Sequence, residues 1–150
     1  MGAELAERVE SLASVLLGGL PADEAARLAE VLRSARYRVE IANGPILAAN
    51  GKPDVALLQP ALESEDAAAS PWCAEAARLG IPVIALIPAN RPDQIERAVA
   101  AGATEVLLTP ANPAEALARV RKVLRLVSLR AQAERLRVQE AQRTGAGGGQ

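Results

Sequence analysis

The sequence predicts an α/β protein built on a parallel sheet. Two continuous apolar runs, Val55–Leu58 and Ile81–Ile87, have the length and composition of central strands that are covered on both faces. Five strand-like segments alternate with helix-like segments, and this alternation is typical of parallel strands joined by right-handed crossovers. A chain of 150 residues is long enough for one such domain and an appendage.

The first three strands follow from apolar runs separated by turn residues. A helix is expected over residues 1–13, and Ser14–Leu17 is an apolar strand broken by two glycines. Pro21 opens the next helix, because proline suits the first turn and Asp23 and Glu24 lie at the positive end of its dipole. The buried face of this helix is predicted at Ala25, Leu28, Ala29 and Leu32. The following elements are a strand at Tyr37–Ile41, a turn at Asn43-Gly44-Pro45, a short helix at Ile46–Asn50 and the strand at Val55–Leu58.

The second half of the chain predicts two more strands and a long final helix. In order, the elements are an acidic loop at 60–70, a helix at Pro71–Leu79, the strand at Ile81–Ile87, a helix from Pro92 to Gly102, a strand at Thr104–Leu108 and a helix from Pro113 to about Arg143. We therefore expect a body over residues 14–127, a helical extension over 128–143 and a disordered glycine-rich tail over 144–150.

The histidine and cysteine content restricts the classes of function that the chain can have. The chain has no histidine, which removes the commonest metal ligand and general base, and no catalytic pair of histidine with serine or cysteine can form. A single cysteine, Cys73, excludes an intrachain disulfide and suits the cytoplasm. The amino terminus has no signal-peptide pattern, and no apolar run reaches the length of a membrane span. These features predict a cytoplasmic protein that is not an enzyme.

One stretch carries a family resemblance. Pro53-Asp54-Val55-Ala56-Leu57-Leu58 is followed by Gln59-Pro60. It resembles the third strand of bacterial response-regulator receiver domains, in which an aspartate at the position of Gln59 accepts a phosphoryl group. The resemblance runs from about Ser14 to Val127. It implies a flavodoxin-like (CheY-like) doubly wound sheet of five parallel strands in the order 2-1-3-4-5, here with an extended carboxyl-terminal helix.

The resemblance also places the groups that phosphorylation needs, and all five are changed. The acidic pair falls on Gly18 and Gly19, and the phosphoacceptor falls on Gln59. The hydroxyl position falls on Ile87 and the lysine on Thr109. The next residue is Pro110, where the family usually has a cis peptide bond. Since these groups neutralise charge around a transferring phosphoryl group, their loss predicts a degenerate receiver that holds no metal or other cofactor.

Two other interpretations of the pocket remain open. A displaced acceptor or cation site could use the acids near it, which are Asp23, Glu24, Glu63, Glu65 and Asp66. Alternatively, a small molecule or nucleotide could bind at the strand tips around Gly18-Gly19, Gln59 and Thr109. The first predicts Mg²⁺-dependent labelling of the wild-type chain, and the second predicts thermal stabilisation by a metabolite.

The last helix predicts a protein contact. A heptad seam with one charged interruption runs through Leu117, Val120, Leu124, Val127, Ala131, Glu134, Val138 and Ala141. A second stripe beside it contains Leu126, Leu129, Ala133 and Leu136. We expect the projecting half to form a homodimer or to dock on a partner. Its arginines are spread around a helix without aromatic residues, so neither nucleic acid nor membrane is the expected partner.

These observations give one functional hypothesis. The chain is a pseudo-receiver that acts through contacts with signalling proteins in a two-component (phosphorelay) context, independently of phosphorylation at Gln59. The resemblance implies a contact face formed by the predicted fourth helix, the fifth strand and the last helix. Arg97, Glu105 and Arg121 are its expected exposed residues.

Overall fold

The computed structural model describes residues 13–42, 52–59 and 71–148, and within them it contains five strands and four helices. The strands are β1 (Ser14–Gly18), β2 (Arg38–Ala42), β3 (Val55–Leu58), β4 (Val83–Pro88) and β5 (Glu105–Thr109). The helices are α1 (Ala22–Ser34), α2 (Pro71–Arg78), α3 (Asp93–Ala100) and α4 (Pro113–Gly148). The predicted amino-terminal helix, the turn and helix of residues 43–50 and the acidic loop of residues 60–70 lie outside the described residues.

The five strands form one parallel sheet in the order β2-β1-β3-β4-β5, which confirms the predicted topology. The register aligns the carboxyl ends of the strands. Gly18, the last residue of β1, lies opposite Ala42 of β2 and Leu58 of β3, while Pro88 of β4 lies opposite Thr109 of β5. The residues that follow these strands therefore meet at one edge of the sheet.

Helices cover both faces of the sheet. On one face, α1 and α4 pack over β1 and β3, and Leu28 and Val120 belong to the same buried cluster as Leu57. On the other face, Ala76 of α2 packs against β3, and Ala98 of α3 packs against β4. The predicted buried face of α1 is confirmed, since its four members are at most 1% exposed. The continuous apolar runs thus correspond to strands that are buried on both faces.

Gly102 provides a test of the packing between α2 and the turn that follows α3. Its φ of 108° lies in the left-handed region, and a Cβ there would approach the Cβ of Ala77 to 2.9 Å. We therefore expect Gly102→Ala to lower the free energy of unfolding by more than the roughly 1–2 kcal/mol that a left-handed alanine costs alone. Gly80→Ala is the matched control, because Gly80 also has a positive φ but its nearest contact would be 3.9 Å away. Equal losses for both variants in urea unfolding would contradict the predicted clash.

The first part of α4 belongs to the domain core, and the rest is exposed. Ala116, Val120 and Val123 are fully buried, whereas every residue from 125 to 144 is exposed. The helix continues to Gly148 and not to Arg143 as predicted, so it includes most of the segment that was expected to be disordered. Extension of an existing helix adds one hydrogen bond per residue, which can offset the cost of about 1 kcal/mol that a glycine brings. Among the described helices, none is both long and apolar enough to cross a membrane.

The two apolar stripes of α4 lie on nearly opposite sides of the helix. Leu129 follows the buried Val120 by nine residues, which is about two and a half turns at 3.6 residues per turn. The seam that includes Val127 and Val138 continues the face that packs on the sheet. The second stripe points away from the sheet, so the prediction that it lies beside the seam is wrong.

Candidate functional site

An open depression of about 430 Å³ lies at the carboxyl edge of the sheet. Its lining residues come from the last residues of β4 and β5 and from the segments that follow β1, β3, β4 and β5, as the register of the strands requires. They are Pro21, Glu24, Gln59, Pro88, Ala89, Asn90, Thr109 and Pro110. The depression therefore occupies the place where ligands bind in open α/β sheets.

The structure brings two of the predicted site residues together in this depression. Gln59 and Thr109 both line it, and Thr109 is only 7% exposed. Pro110 also lines it, and the Thr109–Pro110 peptide bond is cis, as the resemblance implies. The backbone N–H of Ala89 donates to the carbonyl of Thr109 at 2.9 Å, which joins the loop after β4 to the end of β5.

The other three predicted positions do not line the depression. Gly18 lies behind Gln59, whose backbone N–H donates to the Gly18 carbonyl at 3.0 Å. Gly19 is exposed and has a φ of 79°. Ile87 is fully buried and packs with Ala98 on the α3 side of the sheet, so the neighbouring Pro88 reaches the depression in its place.

Gln59 has one unusual feature. Its Oε1 atom is buried and has no hydrogen-bond partner among the residues that the structure describes. A buried acceptor without a partner costs free energy compared with the same atom in water. The side chain therefore leaves an unused acceptor at the end of the central strand β3.

Glu24 is a site residue for which the sequence suggested a role in the helix dipole or in a displaced cation site, and not a hydrogen bond to the backbone. It is 8% exposed, and its Oε2 accepts a hydrogen bond of 3.1 Å from the backbone N–H of Ala111. This contact ties the start of α1 to the loop between β5 and α4. The signal that could have found it is spacing, because Glu24 lies four residues before the buried Leu28 and so shares its helical face.

Loss of the Glu24 contact should destabilise the domain measurably. Glu24→Ala leaves the N–H of Ala111 without its acceptor, and we expect the free energy of unfolding to fall by about 1–3 kcal/mol. Glu24→Gln keeps an acceptor oxygen and should lose less. The neighbouring Asp23→Ala is the surface control, with an expected loss below about 1 kcal/mol from the helix dipole. Urea unfolding of the three variants measures the difference, and an Asp23→Ala loss as large as that of Glu24→Ala would contradict the assigned contact.

The acidic residues do not form a metal site in the part of the chain that the structure describes. There, no three carboxylate, thiol or imidazole groups come close enough together to hold an ion. Of the acids proposed for a displaced site, Asp23 is exposed at the helix start and Glu24 binds Ala111. The three acids of residues 60–70 lie outside the described residues.

The predicted contact face is only partly exposed. Arg121 is exposed and Arg97 is half-buried. The Glu105 side chain is 19% exposed, and its Oε1 accepts a hydrogen bond of 2.6 Å from the guanidinium of Arg119. Its Oε2 lies 3.6 Å from the Nζ of Lys122, so the carboxylate pairs with both cations. Its prediction as an exposed contact residue is therefore wrong, because the carboxylate joins β5 to α4.

At the start of α3, a hydrogen bond from Arg91 lowers the pKa of Asp93 below its ordinary value.

Comparison with known proteins rests on structure alone. No protein-family model and no curated protein sequence matches the chain. A response regulator from Thermotoga maritima superposes with a TM-score of 0.65 at 18% identity, over 75% of this chain and 98% of that one. The chemotaxis response regulator CheY4 of Vibrio cholerae gives a TM-score of 0.61 at 20% identity, over 75% and 98% of the two chains.

A third similar structure covers more of the chain. It is a fusion that contains a trimeric coiled-coil segment of yeast Spc42, with a TM-score of 0.66 at 22% identity, and it covers 90% of this chain and 97% of that one. All three identities are low, so the comparisons establish architecture and not chemistry. Together with the strand order, they show that this chain has the fold of response-regulator receiver domains.

Proposed function

We propose that the chain is a non-catalytic pseudo-receiver that acts through protein contacts in two-component signalling, without phosphorylation at Gln59. The main support for this proposal is the set of side chains that line the depression. Gln59 stands at the tip of β3, and Glu24 is the one carboxylate among the described lining residues. We place the protein in the cytoplasm, where a single cysteine is expected to remain reduced.

The described lining of the depression lacks the charged groups that phosphoryl transfer needs. An amide at Gln59 cannot form an acyl phosphate, and Thr109 supplies no cation to balance transferring phosphoryl oxygens. Glu24 already accepts a hydrogen bond from Ala111, and the other described lining residues supply no second carboxylate to help it hold Mg²⁺. The depression therefore favours contact or packing over phosphoryl transfer.

Incubation of the wild-type protein with acetyl phosphate and Mg²⁺ tests this proposal against a displaced acceptor. We expect no increase in intact mass that depends on Mg²⁺. Labelling that requires Mg²⁺ and maps to an acid of residues 60–70 would overturn the proposal and support a phosphorelay receiver with a displaced acceptor.

We further propose that α4 mediates self-association, with a homodimer as the expected form. The seam formed by Val127, Ala131 and Val138 continues the core-facing side of α4 beyond the domain, and Val138 is 45% exposed. The greater coverage by the coiled-coil fusion supports a helix that extends in this way. In a parallel pair, Arg130 would lie opposite Arg135 of the second copy, so the dimer should be weak and should tighten when salt screens this repulsion.

Sedimentation equilibrium at low and high ionic strength measures this self-association. Leu124 anchors the start of the seam in the domain, so the informative change is Val138→Glu, which places a charge in the exposed seam without touching the core. The variant should be monomeric at concentrations where the wild type dimerises. A wild-type trimer would still support association through the seam and would change only the number of copies. An oligomeric mass for Val138→Glu equal to that of the wild type would rule out the seam as the interface.

A small-molecule sensor is the second candidate, because the Oε1 of Gln59 has no partner in the described part of the chain and could accept a hydrogen bond from a ligand in the depression. A ligand at one hundred times its dissociation constant would stabilise the fold by about 2.7 kcal/mol. Thermal unfolding with a panel of amide- and ammonium-bearing metabolites measures this effect. Stabilisation that disappears in Gln59→Leu would favour this function.

A further inference from the structure

The outward stripe of α4 has a composition that points to a particular class of partner. We use the name leucine stripe for Leu126, Leu129, Ala133 and Leu136, which follow one another at spacings of three, four and three residues. The three leucines are 37%, 53% and 60% exposed. They lie on the side of α4 that faces away from the sheet, so the protein's own core does not cover them.

Arginines border the leucine stripe on both sides. In heptad positions, Leu126 and Ala133 take position a, and Leu129 and Leu136 take position d. The flanking e and g positions are then Arg125, Arg130, Gln132, Arg137 and Gln139. None of them is acidic. Arg137 pairs with Glu134 within the helix, whereas Arg125 and Arg130 form no ion pair with any described residue.

We propose that the leucine stripe binds an amphipathic helix of another protein, whose apolar seam is flanked by glutamate or aspartate. This inference rests on the proposed role as an interaction module and names the chemistry of its partner. Apolar residues of the partner would pack on the three leucines, and its acids would pair with Arg125 and Arg130. The stripe is separate from the seam of Val127, Ala131 and Val138, so partner binding and self-association use different sides of α4.

Charge favours an acid-flanked helix over a second copy at this stripe, just as repulsion between Arg130 and Arg135 keeps self-association at the seam weak. The e and g positions of one copy would face those of the other in either helix orientation, and they carry only arginine and glutamine. Self-pairing would therefore bring arginine against arginine, which costs free energy, whereas an acidic partner turns the same groups into attractive pairs.

A lipid surface fits the stripe less well than a helix does. Helices that lie in a bilayer interface combine a broad apolar face with aromatic anchors. This stripe is a narrow row of three leucines and one alanine, and α4 contains no aromatic residue. The spacing of the leucines instead matches the knobs that insert between the residues of a facing helix.

The test uses the full-length protein and two synthetic peptides of equal length. One is a heptad peptide with leucine at a and d and glutamate at e and g, and the other has lysine in place of each glutamate. Fluorescence anisotropy of the labelled peptides reports binding at low and at physiological ionic strength. We expect the glutamate peptide to bind and the lysine peptide to bind at least about tenfold more weakly, because several charge pairs change sign. Added salt should weaken the binding of the glutamate peptide.

Matched variants then assign binding to the stripe. Leu129→Ser and Leu136→Ser should each lower the affinity for the glutamate peptide by about tenfold or more, as expected for central apolar contacts. Val138→Ser changes a similarly exposed valine on the opposite side of α4 and should leave peptide binding unchanged. Arg125→Glu with Arg130→Glu should reverse the preference between the two peptides. These changes lie outside the core, so circular dichroism should report the same fold for all variants.

Several results would overturn the proposal. They are equal binding of the two peptides, no binding of either peptide, loss of binding with Val138→Ser but not with Leu129→Ser, and tighter binding to anionic lipid vesicles than to the glutamate peptide. A fall in oligomeric mass caused by Leu129→Ser would assign the stripe to a second copy. Failure here would leave the inert pocket untouched, because phosphodonor labelling tests that part of the proposed function independently.

Discussion

Gln59→Asp alone should remain unlabelled by acetyl phosphate in the presence of Mg²⁺. The substitution supplies the carboxylate that could accept a phosphoryl group at the tip of β3. It does not supply a cation site, since Gly18 and Gly19 carry no ligand, and it does not supply the positive charge that Thr109 lacks. Loss of one preorganised charge-stabilising group typically slows a reaction on the order of a hundredfold or more, and here at least two are missing. Intact-mass analysis of the variant measures the result.

The control for this prediction restores more of the chemistry. A variant that combines Gln59→Asp with Gly18→Asp, Gly19→Asp and Thr109→Lys restores the residue types that the resemblance places at the acceptor, the acidic pair and the lysine. We expect it to label faster than the single variant, provided that circular dichroism shows the same fold. Efficient Mg²⁺-dependent labelling of Gln59→Asp alone would show that the depression has kept its catalytic groups, and the account of a neutralised pocket would be wrong.

Val123→Asp should cause the largest loss of stability that the structure predicts. Val123 is fully buried between α4 and the sheet, in the same cluster as Leu28 and Leu57. An aspartate there has no partner, and burial of an unpaired charge costs more than about 4 kcal/mol. Native domains have a total stability of about 5–15 kcal/mol, so this variant should be largely unfolded or shifted to a much lower urea midpoint.

Leu129→Asp is the matched control on the same helix. Leu129 is 53% exposed and points away from the sheet, so its substitution should change the free energy of unfolding by no more than about 0.5 kcal/mol. Val123→Ala gives an intermediate loss if the aspartate variant cannot be purified. Similar urea midpoints for Val123→Asp and the wild type would contradict the orientation of α4 described above.

The fold was largely predictable from the sequence because its signals are local. Val55–Leu58 and Ile81–Ile87 lack polar positions, which indicates strands buried on both faces, and both correspond closely to β3 and β4. The strand order came from the family resemblance, since periodicity alone cannot rank parallel strands. The rotation of α4 was harder to predict, because apolar residues occur on both sides of it. Val123, which is fully buried, was absent from the predicted seam.

The candidate site was less predictable because it depends on contacts between distant segments. Gln59 and Thr109 line the same depression because Gln59 follows β3, Thr109 ends β5, and the register aligns the ends of the strands. The contact of Glu24 with Ala111 spans 87 residues of sequence, and no local pattern encodes it. The ion pair that half-buries Glu105 beside Arg119 likewise appears only in the folded chain. A sequence alone does not show which charged residues are paired and partly shielded from solvent.

Titration of the wild-type protein with Mg²⁺ and beryllofluoride, followed by amide chemical shifts, shows whether the depression can hold a phosphoryl group. Beryllofluoride mimics an acyl phosphate, and it requires an acceptor carboxylate at the tip of β3, where Gln59 stands, and a cation site, which the described lining residues do not provide. We expect no saturable shifts at Gln59, Ala89 or Thr109. Saturable shifts at these residues that require Mg²⁺ would contradict this expectation and would show that the receiver fold still binds a phosphoryl group here.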